Sequence, residues 1–281
     1  MKNTTLKTGI LISFGLLASI AGCRKDAMNP PVPDDLYLSK VYVGGNLTTQ
    51  IDYDEVKRIA SIQRYTNGQI DDSEYWEYNE AGQVSQRWFM NADKTLQVIW
   101  VYEYDSNGKI SNRLVYPNIF SPTSQSTYAY DGRGRVATQY DHNTPSDLDQ
   151  ITSYIQYEYD DEGNPTVMKG YTVGQNAPDV LYVDIRYEYD NPKQAAKARN
   201  RLGRHLADYV ALLFSSRTYT SYTPAGAISA ANTITIDTDF NASGLPVKSA
   251  VESDIIHPNP GNSISDITYE YTDLSNLDDE Q

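Results

Sequence analysis

The chain has 281 residues, enough to bury a sizeable core as one large domain or two small ones. Its formal net charge is -14, a balance that repels phosphate and excludes nucleic acid as a partner. It carries 24 Tyr against 5 Phe, which suits pleated, half-buried surfaces more than an aliphatic core.

Lys2 and Lys7 precede "GILISFGLLASI" (residues 9–20), an apolar run of signal-peptide length and too short to cross a bilayer. It ends in "IAGC", small residues before Cys23. That ending resembles the bacterial lipobox, which implies removal of residues 1–22 and lipid attachment at Cys23. Each buried CH2 of such a lipid contributes about 0.8 kcal/mol to anchoring. Cys23 is the only cysteine, so no disulfide braces the fold. Cleavage removes two lysines and no acids, leaving 21 basic residues against 37 acids, a charge of -16. "RKDAMNPPVPDD" (residues 24–35) contains Pro30, Pro31 and Pro33 and reads as an extended spacer between membrane and body. Its "RKD" is similar to the export tags of surface lipoproteins in Bacteroidota-type bacteria.

One phrase then recurs: "VYEYDSNGKI" at residues 101–110, "TYAYDGRGRV" at 127–136 and "QYEYDDEGNP" at 156–165. Aligned on an aromatic followed by Asp or Asn, it has seven copies: Tyr53-Asp54, Tyr78-Asn79, Tyr104-Asp105, Tyr130-Asp131, Tyr159-Asp160, Tyr189-Asp190 and Phe240-Asn241. The first six stand 25 to 30 residues apart and the seventh follows after 51. In five copies a glycine stands three positions beyond the acid or amide, giving Asn79/Gly82, Asp105/Gly108, Asp131/Gly134, Asp160/Gly163 and Asn241/Gly244. Asp or Asn opens a turn by accepting backbone N–H groups ahead of it, and glycine takes the positive φ that returns the chain antiparallel. Period-two alternation puts Tyr102 and Tyr104 on one face and Glu103 on the other. Each copy is therefore a β-hairpin with aromatics on one side, and "YTNGQ" (residues 65–69) signals a further Asn-Gly turn.

A single hairpin is marginal in water, so successive copies must pair edge to edge. The expected fold is all-β: one domain over residues 37–272, a long antiparallel meander of about 13 to 15 strands, curled by twist into a half-barrel or partly closed barrel. At Tyr189 the glycine position holds Lys193, and residues 193–214 recur apolar at helical spacing through Leu202, Leu206, Tyr209 and Leu213. One inserted helix is expected there, weakened at Gly203. The meander resumes, closes with "SDITYEY" (residues 265–271), and ends in an acidic tail, residues 273–281, that frays.

"YAYDGRGRV" resembles the YD repeat of RHS-type proteins through Tyr128, Tyr130, Asp131, Gly134, Arg135 and Val136. The layout of lipobox, spacer, degenerate hairpins and closing "DFNASGLPVK…ITYEY" resembles the DUF4595-like lipoproteins of Bacteroidota. That resemblance implies a β-rich hairpin array in the cell envelope, an outer-membrane lipoprotein exposed at the surface. It supplies no reaction, cofactor or catalytic set.

The residues point to no enzyme class. His142, His205 and His257 lie singly, no metal-spaced cluster occurs, and the acids of Asp160, Asp161 and Glu162 read as turn formers. No cofactor or metal is expected. Trp76, Trp88 and Trp100 are the candidate ligand contacts, since sugar C–H faces pack on aromatic rings; the competing role for these rings is core packing. Lys193, Lys197, Arg199, Arg201 and Arg204 could steer an anionic ligand or form the solvated face of the helix. The expected function is a non-enzymatic binding or scaffold module, its partners the membrane through its lipid and a glycan or surface protein. The alternatives are a carbohydrate-active enzyme with a carboxylate pair and a structural subunit of a surface complex.

Overall fold

The computed structural model describes residues 36–274 apart from residues 118, 145–146, 175–176, 203–212 and 258–260. The expected leader, Cys23 and the spacer lie outside the described residues, as do residues 275–281 of the tail and His205.

The chain forms β1 (Leu36–Val43), β2 (Asn46–Tyr53), β3 (Ile59–Thr66), β4 (Gln69–Tyr78), β5 (Val84–Asn91) and β6 (Leu96–Tyr104). It continues through β7 (Ile110–Tyr116), β8 (Ser124–Tyr130), β9 (Val136–His142), β10 (Ile151–Tyr159), β11 (Pro165–Thr172) and β12 (Val180–Glu188). A helix, α1 (Pro192–Leu202), precedes β13 (Ser216–Tyr222), β14 (Ile228–Phe240), β15 (Pro246–His257) and β16 (Gly261–Asp273). Each strand pairs antiparallel with its sequence neighbours, and β1 pairs with β16 from Leu36↔Asp273 to Val43↔Ile267. The meander is thus longer than the sequence suggests and closes completely. Closure satisfies the backbone groups that two free edges would leave exposed.

The recurring turns all lie at one end of the barrel. Asp105 shows their chemistry: its Oδ1 accepts the N–H groups of Asn107 and Lys109, and Gly108 has φ +75°. Asp131 and Asn241 repeat the same two bonds, and the ladder shifts register just before the aromatic of every copy but Tyr189, between Glu103 and Tyr104 for example. These are three-residue turns with a bulge, and bulges add the local twist that curls a wide sheet. In the first copy Lys57 takes the glycine's place at φ +64°.

At the same end neighbouring hairpins separate. The β5–β6 ladder reaches its last pair at Gln86↔Val101, and the Val84 carbonyl two residues beyond instead accepts the Tyr104 hydroxyl at 2.7 Å. The arrangement recurs in Tyr53→Leu38, Tyr78→Ile59, Tyr130→Ile110, Tyr159→Val136, Tyr189→Pro165 and Tyr271→Pro246, all between 2.7 and 2.9 Å. Phe240 breaks the series where β13 begins late, so that the β13–β14 ladder ends five residues before the aromatic. There Ser216 pairs with Thr235, and the Ile236 N–H continues to the Ser215 carbonyl. No hydroxyl is needed, and the phenyl ring packs on the core.

Asn191 caps α1 by accepting the Gln194 N–H, with Pro192 in the first turn. The rest of the expected helix, residues 203–212, falls outside the described residues. Ala195 and Ala198 are the helix's buried contacts, in one cluster with Leu38, Ile51, Ile62 and Trp76 of β1–β4. Those strands stand across the ring from the β12–β13 insertion point, so α1 lies in the lumen. Small side chains let its backbone approach the wall.

The face bearing the repeat tyrosines is therefore the inner one. The opposite face carries charges along the ladders: Glu158, Arg186 and Asp254 in one row, Lys169 and Asp184 in the next. A wall crossing lipid presents an apolar band about 25 Å tall. These two rows carry charges in place of such a band.

Candidate functional site

The separated hairpins and α1 border a cavity of about 980 Å³ at the turn end of the lumen. Its wall repeats the motif: Tyr78, Tyr104, Tyr130, Tyr159 and Tyr189 alternate with Val84, Ile110, Val136 and Pro165, the first residues of the returning strands. Tyr187 and Phe214 add rings, and Ala196 and Arg199 reach it from α1.

Burial keeps several of these phenols protonated. Burial pushes Tyr78 up to about 12, with the Asp54 carboxylate adding to the effect, and burial likewise pushes Tyr104 and Tyr189 up to about 12. They serve as donors to backbone carbonyls, not as bases or nucleophiles. Lys109, Arg135, Arg199 and Arg217 line the cavity, and Glu162 is the one carboxylate among its described lining residues. Arg135 bonds Asp131 at 2.7 Å and lies 4.5 Å above the Tyr159 ring. Arg199 gives its N–H groups to neutral acceptors, the Gly163 carbonyl and the Asn164 side chain, and touches the Tyr189 hydroxyl. Lys109 Nζ stands 4.8 Å from the Tyr130 ring centre. Arg217 Nε is buried without a hydrogen-bond partner.

The three tryptophans are not brought together. Trp76, 6% exposed, and Trp100 face inward on either side of Arg87, whose guanidinium lies 4.6 and 5.0 Å from their rings. Trp88 pairs with Tyr75 and Ile99 on the outer face. None of the three lines the cavity. Arg87 also bonds Glu74, which is fully buried and accepts Arg64 at 3.1 Å, while Arg64 also bonds Asp72. This inward pair of carboxylates is enclosed by arginines and holds the wall together. The turn residues Asn79, Gly82, Asp105, Gly108, Asp131, Gly134, Asp160, Gly163, Asn241 and Gly244 sit at the cavity end, where Gly82, Gly108, Gly134 and Gly163 form part of its rim.

His142 is buried and shares a hydrogen bond with Thr127, away from any acid cluster. Among the described residues no three His, Cys, Asp or Glu side chains gather as metal ligands. Both Asp160 oxygens are taken up within their own turn by Asn164.

Two functional features escape the motif reading. The tyrosine hydroxyls are structural donors, and the signal was the ratio of tyrosine to phenylalanine: a ring needed for packing alone carries no hydroxyl. Arg217 lies in "SSRTYT" and has no local signature.

No family model matches the chain, and no curated protein does, so the two resemblances drawn from motifs rest on those motifs. Among solved structures, a porin-like protein from Bacteroides uniformis ATCC 8492 aligns at TM-score 0.48 and 9% identity, over 80% of this chain and 89% of that one. A porin-like protein from Bacteroides vulgatus ATCC 8482 aligns at 0.35 and 13%, over 85% and 100%. The TcdB2-TccC3-TEV structure aligns at 0.29 and 12% over 76% of this chain, which spans 12% of that one. With scores below 0.5, none of these defines what this chain does.

Proposed function

We propose that the protein is a non-enzymatic binding module of the bacterial envelope, tethered by lipid at Cys23 and taking a saccharide into the tyrosine-lined cavity. The observation that carries this reading is the cavity itself. Its size lies at the top of the range for small-molecule sites, its wall is ringed with aromatics, and a few polar groups converge on it. Sugar C–H faces suit the rings, while Arg199 and Lys109 offer donors to hydroxyls. A glycosidase of the usual kind needs two carboxyl groups about 5–9.5 Å apart. The described lining offers Glu162, and the inward Asp72 and Glu74 are already engaged by arginines. Binding without bond-breaking fits this arrangement better than catalysis.

The test is a glycan array probed with the full-length protein. Signal on a family of related glycans, lost when Tyr130 and Tyr159 are replaced together, is the expected result. A blank array would favour a scaffold role. For the tether, Cys23→Ala is expected to move the protein from the membrane fraction to the soluble one, and retention in membranes would require another anchor.

A further inference from the structure

We infer that the cavity selects an anionic ligand, a saccharide bearing carboxylate or sulfate groups, with Arg217 as its principal anchor. This rests on the binding reading above and narrows it.

The first argument is charge placement. The chain has 23 basic residues against 37 acids, yet the described lining of this one cavity holds four cations and a single carboxylate. Of the four, Arg135 is neutralised by Asp131 at 2.7 Å. Arg199 is hydrogen-bonded to neutral groups and has no carboxylate in salt-bridge reach among the described residues. Lys109 has a ring beneath it and no carboxylate in salt-bridge reach among the described residues.

The second argument is the state of Arg217. Its strand neighbours on the inner face are Tyr187 of β12 and Ile234 of β14, neither able to balance a cation. Among the described residues the Phe214 ring also stands 5.9 Å from its guanidinium carbon. A partly buried guanidinium whose Nε meets no acceptor destabilises the empty protein. The planar fork matches carboxylate or sulfate oxygens in a two-bond geometry, and the surrounding low dielectric strengthens that contact. An anion entering the cavity would therefore meet the guanidinium that lines it and balance a charge that no carboxylate pairs with among the described residues.

The experiment titrates the full-length protein with an oligogalacturonide, a sulfated oligosaccharide and a neutral oligoglucoside of equal length. At least one acidic probe should bind about tenfold or more tightly than the neutral one, the scale of one charged hydrogen bond. That advantage should shrink as salt is raised. Which acidic probe wins distinguishes carboxylate from sulfate. Arg217→Gln should abolish the advantage, and Arg217→Lys should retain part of it. Arg217→Gln should also melt no lower than the parent. If it fails to fold, Lys109→Met removes another lining cation and should reduce the advantage. Neutral and acidic probes binding equally, with salt and Arg217→Gln without effect, would overturn the inference and leave saccharide binding intact. Failure of every probe to bind would overturn both.

Discussion

Tyr104 does two jobs with one side chain: its ring packs inside the barrel and its hydroxyl takes the Val84 carbonyl where the ladder has ended. Tyr104→Phe keeps the ring and orphans the carbonyl, so it should cost about 1 kcal/mol. For a domain of this size that is a fall of about 2–4 °C in melting temperature. The reverse change, Phe240→Tyr, places a hydroxyl against the core where no separated strand awaits it, and it should destabilise by a similar amount. If Phe240→Tyr stabilised the protein instead, the explanation of the hydroxyl series would be wrong.

The hairpin turn is a unit that responds to acid. Asp131 and Asp105 are held below the usual carboxylate range, Asp131 first by the Arg135 backbone N–H and Asp105 first by that of Lys109. A lowered folded value means that their contribution is present above the ordinary carboxylate pKa of about 4 and is lost as pH falls below it. Melting curves between about pH 3 and 6 should therefore fall steeply on the acid side. Asp105→Asn with Asp131→Asn should flatten that fall, because Asn79 and Asn241 already perform the same role without charge. The helix is a second unit, sensitive to bulk. Ala198 is fully buried, and a Cβ on Gly244 would meet Gln194 of α1 at 2.5 Å. Ala198→Leu should cost about 1–3 kcal/mol by overpacking and should loosen the cavity wall formed by Arg199. Thermal melts and limited proteolysis around residue 200 would detect both effects.

For the molecule as a whole, tyrosine sets the alkaline limit. Tyr104, Tyr128, Tyr189 and Tyr269 are raised to about 12, chiefly by burial, against an ordinary value near 10. A raised folded value means that stability is complete below about pH 10 and is lost as pH climbs toward 12, since the unfolded chain releases its phenolic protons first. Absorbance of tyrosinate should rise in one cooperative step together with loss of strand signal. A gradual rise with the fold intact would mean that the phenols are open to solvent. Closure makes such cooperativity natural, because opening the β1–β16 seam leaves two edges and exposes the lumen at once.

The hairpins were legible because the forces that make them act over a few residues: an Asp or Asn accepting the amides ahead of it, a glycine or Lys57 at positive φ, and alternation along each strand. Those features determined an all-β meander and the position of its turns without reference to distant chain. The number of strands and the closed ring were decided by pairing between Leu36–Val43 and Gly261–Asp273, contacts across almost the entire sequence. The same long-range pairing settled which tryptophans face the lumen, since each bulge resets the alternation on which such a reading depends. It also gathered Lys109, Arg199 and Arg217 around one cavity although 90 and 18 residues separate them in turn. No local pattern encodes that meeting, because charge acts through space and only the closed barrel fixes the distances.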